Sequence, residues 1–173
     1  MFETTFSTQN TFGLHNNQAI KLFRQAVRKG GMGRLFSRIN GQAPSLRDLQ
    51  TATQRLNIRS RHYAGVQAVL ISKIVGSEGR VSDFDAYFNP LSEKTRDRWL
   101  SVASARLQGK ALPAVELIQV GEVYYVRDGH HRISVARAFE EEAIDAQVTV
   151  WEVRESLPFA RSMNDLQLCP EAV

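Results

Sequence analysis

The chain has 173 residues, 43% of them hydrophobic, and a formal net charge of +4, enough length for one domain with a buried core and an appendage. No apolar run approaches the ~20 residues of a membrane-spanning helix, and the polar start Met1–Gln9 does not read as a signal peptide. A single cysteine, Cys169, excludes an internal disulfide and fits a cytoplasmic protein, while the modest positive charge is compatible with nucleotides or nucleic acid as partners.

In chain order, residues 1–17 are rich in Thr, Asn and Gln without clear periodicity and read as a loose arm. Ala19, Ile20, Phe23, Ala26 and Val27 recur at helical spacing, and Gly30-Gly31-Met32-Gly33 is expected to break that helix before a second through Leu35, Phe36 and Ile39. Ser45 with Asp48 resembles a capping box for a helix through Leu46, Leu49, Ala52 and Leu56. Residues 1–64 thus read as a helical, basic extension. It either binds nucleic acid or packs on the main domain with its charges in solvent.

From Gly65 the texture changes. Val66–Ile71 reads as a strand, followed by the loop Val75-Gly76-Ser77-Glu78-Gly79-Arg80. A helix is predicted from Ser92 to about Gln108, with Trp99, Leu100, Ala103 and Leu107 inward and Gly109 as its stop. Strand Val115–Val120, the Gly121-Glu122 turn and strand Val123–Val126 form a hairpin. A helix from His130 to Phe139 and a strand from Ala146 to Val153 follow, and residues 154–173 read as a tail. The order predicts an α+β domain over 65–153, with helices packed on a small mixed sheet. Trp99, Trp151, Phe84 and Phe88 read as core.

The chemistry concentrates in Asp128-Gly129-His130-His131-Arg132, where a strand turns into a helix. A helix start offers unpaired N–H groups and the positive end of the dipole, a ready anion site. Gly129 permits a tight turn and close approach of backbone to ligand. Arg132 can clamp phosphate oxygens with His130 and His131 beside it, and Asp128 can orient a histidine, bind magnesium through water or cap the helix. The alternatives are an Asp-Gly turn with exposed histidines, or a metal site, for which the spacing of His15 and His62 gives little support. The second candidate is the loop at 76–80, where two glycines could wrap a phosphate, Arg80 neutralise charge and Glu78 act as base; it lacks the spacing and lysine of a P-loop. Ser77 and Ser134 complete the candidate phosphate-binding set. Asp83 and Asp85 are possible metal carboxylates or loop residues.

From Val66 to Val153 the element order, and the hairpin entering Asp128-Gly129-His130-His131-Arg132, resemble the ParB/sulfiredoxin superfamily. The resemblance implies a nucleotide (ATP, ADP or CTP, with or without Mg2+) whose phosphates rest on Gly129–Arg132, with Arg80 and Glu78 of the strand-loop Ile74–Arg80 facing it. His130 stands where sulfiredoxins carry cysteine, which excludes sulfinic acid reduction. His130 and His131 also interrupt the Gly-Glu-Arg-Arg of partition ParB proteins. The related archaeal free serine kinase is similar in its Asp-Gly-His style loop, and Glu78 would correspond to its base.

Three functions follow as expectations. One is a nucleotide-dependent phosphohydrolase or phosphotransferase using Glu78, Asp128 and His131, with phosphates held by Ser77, Arg80, Gly129, His130, His131, Arg132 and Ser134. The second is a DNA-binding protein or nuclease with a nucleotide switch, contacting DNA through the basic N-terminal helices. The third is a silent regulatory module. Oligomeric state is left open.

Overall fold

The computed structural model describes residues 5–40, 45–54 and 56–153. The chain forms helix α1 (Thr5–Asn40), strand β1 (Arg47–Asp48), helix α2 (Leu49–Thr53), strand β2 (Ile58–Leu70) and strand β3 (Ile74–Ser77). Helix α3 (Arg96–Leu107), strands β4 (Val115–Val120) and β5 (Val123–Asp128), helix α4 (His130–Ala138) and strand β6 (Ala143–Val153) complete it. The strands make one mixed sheet in the order β1-β3-β5-β4-β6-β2, the α+β architecture expected from the element order. The β4–β5 hairpin is antiparallel, with Val120 opposite Val123, and β3 runs parallel to β5 with Ser77 opposite Val126.

Alternation along the strands sorts side chains to two faces. Val115, Leu117, Val126, Ala146 and Val148 meet Ile133 and Ala136 of α4, with Phe84 and Phe88 closing the same cluster. Ile118, Val120, Val123, Tyr125 and Trp151 are covered by Leu49, Ala52 and Leu56. A third cluster joins helices, where Ala19, Phe23 and Ala26 of α1 pack on Trp99 and Ala103 of α3 and Val135 of α4. Among the described residues no helix is long and apolar enough to cross a membrane.

Five local expectations are corrected. The segment 5–17 is not a loose arm, and Gly30-Gly31-Met32-Gly33 does not break the helix; α1 runs unbroken for 36 residues. Tertiary packing of its buried face outweighs the glycine penalty, and Gly30 lies where a Cβ would come within 2.9 Å of the Pro90 carbonyl oxygen. Asp48, not Ser45, caps the next helix, accepting from the Thr51 N–H at 2.8 Å, and that helix is only five residues long. Residues 75–77 are strand rather than loop. Finally β2 begins at Ile58, so residue 65 falls inside a strand. Its polar first half, Arg59-Ser60-Arg61-His62, carries no apolar alternation and is held by pairing with β6 and by Arg61 stacked 4.0 Å over the Trp151 ring. The segment 154–173, including Cys169, lies outside the described residues.

Candidate phosphate site at the start of helix α4

The parallel pairing of β3 and β5, with Ser77 opposite Val126, brings together two segments that lie 49 residues apart in the chain. Beyond β5, Gly129 takes φ +103, and a Cβ there would come within 2.5 Å of Val115 Cγ1. Only glycine fits that turn. It opens α4, which has no side-chain cap, so the first-turn N–H groups remain available to a ligand.

A cavity of about 260 Å³ lies at this helix start, lined by Arg80, Arg98, Asp128, Gly129, His130, His131 and Arg132, with Val102, Leu112 and Pro113 behind. Three arginines and one carboxylate make its wall cationic. His130 and His131 are both buried, 5% and 8% exposed. Burial first, then the charges of Arg80 and the other histidine, lowers the pKa of His130 to about 4. Burial, then Arg98 and Arg80, lowers His131 to about 4. Both are neutral at pH 7. The His131 Nδ1 is shut off from solvent and has no hydrogen-bond partner. Phe84 packs against both rings, stacked on His130 and edge-on to His131.

Each expected site residue has a definite place. Arg80, Asp128, Gly129, His130, His131 and Arg132 are brought together in the cavity wall. Ser77 sits behind it, fully buried, its hydroxyl 2.7 Å from His130 Nε2 and accepting from the Gly79 and Arg80 N–H groups. Arg132 is braced: Nη1 donates to the Pro113 and Ala114 carbonyls at 2.7 Å, and Nη2 to Asp128 at 2.5 Å. With Nη1 fully used, Nε–H and one Nη2–H remain for a ligand. Two residues stand elsewhere. Glu78 is not in the cavity wall; its carboxylate accepts from Arg127 Nε at 3.0 Å, because Glu78 and Arg127 each follow one residue after the buried Ser77–Val126 pair. Ser134 accepts from the Trp99 indole N–H at 2.9 Å and is buried against α3, one turn too far along α4 to face the helix start.

Arg98 is the charged cavity residue missed in the sequence, along with the apolar Val102, Leu112 and Pro113. It projects from the first turn of α3 beside the buried Trp99, and helical phase alone does not say what a solvent-facing arginine will meet. Asp83 pairs with Arg80 at 3.5 Å. Asp85 is buried and accepts from Tyr87 N, Asn89 N and Asn89 Nδ2, closing its own loop. Among the described residues, no group of three or more His, Cys, Asp or Glu side chains is arranged to hold a metal ion.

No protein-family model matches the chain, and no curated protein matches it. Among solved structures, the sulfiredoxin of Arabidopsis thaliana is 17% identical over a match covering 50% of this chain and 86% of that one, with a TM-score of 0.36. The functional reading therefore rests on the side chains of this chain alone.

Proposed function

We propose that the chain binds the phosphates of a nucleotide in the cavity at the start of α4. The observation that carries this reading is the convergence of Arg80, Arg98 and Arg132 with two buried neutral histidines around one uncapped helix N-terminus. Helix N–H groups and guanidinium forks together supply the donor geometry that phosphate oxygens accept. The neutral imidazoles add no charge of their own to the cationic wall, and an entering phosphate favours their protonation. His131 contributes to the cavity wall as a buried neutral ring, and its unpartnered Nδ1 is a cost that the fold carries at this helix start.

Phosphoryl transfer is the finer reading. Catalysis would come from positioning and charge neutralisation, with Arg98 and Arg80 offsetting developing charge and Asp128 or His131 as proton acceptor. Glu78 is tied to Arg127 outside the cavity and is the weakest of the expected bases. ATP, ADP and CTP, with or without Mg2+, are the ligands to try first.

A thermal-shift panel of ATP, ADP, CTP and GTP, each with and without Mg2+, on wild type and Arg98→Ala tests the reading. A ligand at ~100 times its Kd stabilises by roughly 2.7 kcal/mol. A shift with one nucleotide that disappears in the variant supports it. No shift with any of the four nucleotides overturns it. Release of inorganic phosphate in the presence of the stabilising nucleotide then separates turnover from binding.

A further inference from the structure

Helix α1 carries a second cationic feature, which shares no residue with the cavity and is independent of the nucleotide reading. Between Thr5 and Asn40 the sequence holds Lys21, Arg24, Arg28, Lys29, Arg34 and Arg38 and no Asp or Glu. So the helix carries six positive charges and no negative ones, while the whole chain has a net charge of only +4. Lys21, Arg24 and Arg28 are exposed and share one shallow groove with Asn17, Ile20 and Gln25. At about 100° per residue, Asn17, Lys21, Arg24 and Arg28 fall within a sector of about 60°. The buried residues Ala19, Phe23, Ala26 and Gly30 lie on the opposite side. Among the described residues no carboxylate comes within ion-pairing distance of these three cations.

We infer that this outer stripe of α1 is a binding face for the phosphate backbone of double-stranded nucleic acid. The three cations span about 10 Å along the axis at 1.5 Å per residue, and a B-form major groove about 12 Å wide admits a helix. Asn17 and Gln25 flank them with amides suited to phosphate and sugar contacts. The stripe contains no aromatic side chain, so the base stacking that holds single strands is missing. An anionic membrane surface fits less well. A helix lying in a lipid interface needs a free apolar face, and among the described residues the buried apolar side chains of α1, Ala19, Phe23 and Ala26, are packed against Trp99, Ala103 and Val135.

The test is fluorescence anisotropy of a short labelled DNA duplex titrated with the full chain. Three phosphate contacts predict a slope of about −2.7 in log K against log salt, or an affinity loss of about forty-fold between roughly 50 and 200 mM salt. Lys21→Ala/Arg24→Ala/Arg28→Ala should abolish binding with its melting temperature and far-UV circular dichroism unchanged, since alanine is the best helix former. Arg24→Lys/Arg28→Lys should retain binding and slope, and Arg98→Ala should leave both intact. Three results overturn the inference: no duplex binding at low salt, wild-type binding by the triple variant, or equal loss in Arg98→Ala, which would move the contact to the cavity. Binding to phosphatidylserine vesicles without duplex binding overturns it too. The nucleotide panel stands or falls separately.

Discussion

The Ser77 hydroxyl lies 2.7 Å from His130 Nε2, although 53 residues separate the two in the chain. Its two lone pairs are taken by the N–H groups of Gly79 and Arg80, at 3.1 and 3.0 Å. Its one proton therefore goes to Nε2, the Val126 carbonyl at 3.4 Å being the poorer acceptor. His130 then keeps its own proton on Nδ1. Ser77 thus fixes the histidine tautomer and the backbone that carries Arg80 in a single knot.

Ser77→Ala should accordingly cost about 1–3 kcal/mol, because it leaves a buried ring nitrogen and two N–H groups without their partner. Urea denaturation measures this as a lower midpoint at unchanged slope. An unchanged midpoint would mean that the hydroxyl does not hold the two segments together.

Arg132 and Arg98 should separate stability from binding. Arg132→Ala frees the Pro113 and Ala114 carbonyls and the Asp128 carboxylate, so its melting temperature should fall along with ligand binding. Arg98 makes no such bonds and is exposed. Arg98→Ala should melt as wild type does and lose most of the nucleotide-induced shift. Equal destabilisation by both variants would contradict this division.

Glu78→Gln should leave nucleotide stabilisation unchanged and cost at most about 1 kcal/mol, since half-exposed ion pairs such as Glu78–Arg127 contribute little. Loss of the nucleotide shift in this variant would place the carboxylate in the binding reaction after all.

The two histidines set a pH dependence. Both pKa values are depressed to about 4 in the folded chain, against ~6.5 in the unfolded one. The unfolded chain therefore binds more protons between these limits. The stability contributed by the neutral rings is present above about pH 6.5 and is lost as the pH falls toward 4, by a few kcal/mol for the pair. Denaturation curves at successive pH values should show that slope, shallower in His131→Gln. An anionic ligand raises both pKa values, so its affinity should rise on acidification while the fold persists.

Gly129→Ala should be among the most damaging single changes, because a left-handed turn and the Val115 side chain both oppose a Cβ. A cost above about 1 kcal/mol in urea, with ligand binding lost, is expected.

Much of the central fold was legible because local signals and tertiary demands agree there. Val115–Val120 is a short β-branched, apolar-rich run, Gly121-Glu122 turns, and Trp99, Phe84, Phe88 and Trp151 are apolar bulk with nowhere else to go. The readings failed where tertiary contact overrides local preference. Three glycines within four residues argue against helix, yet packing carries α1 through them; Arg59–His62 argue against strand, yet β6 recruits them. At the site, the motif itself named Gly129 to Arg132, while the partners of Glu78, Ser134 and Arg98 depend on which residues the sheet and helices bring across from elsewhere. No spacing in the chain encodes that.

The chain's two tryptophans also differ in what surrounds them. Trp99 is sealed off, with its indole bonded to Ser134 and its ring 5.4 Å from Phe23. Trp151 lies beneath the Arg61 guanidinium near the sheet edge. In a Trp151→Phe protein, the remaining tryptophan emission would come from the junction of α1, α3 and α4 alone. Trp99 also immediately follows the cavity arginine Arg98 and touches the inner side of the helix whose outer side bears the cationic stripe. One built-in fluorophore therefore watches both surfaces, and titrating each polyanion against its wavelength and intensity would reveal whether occupancy of one is felt at the other.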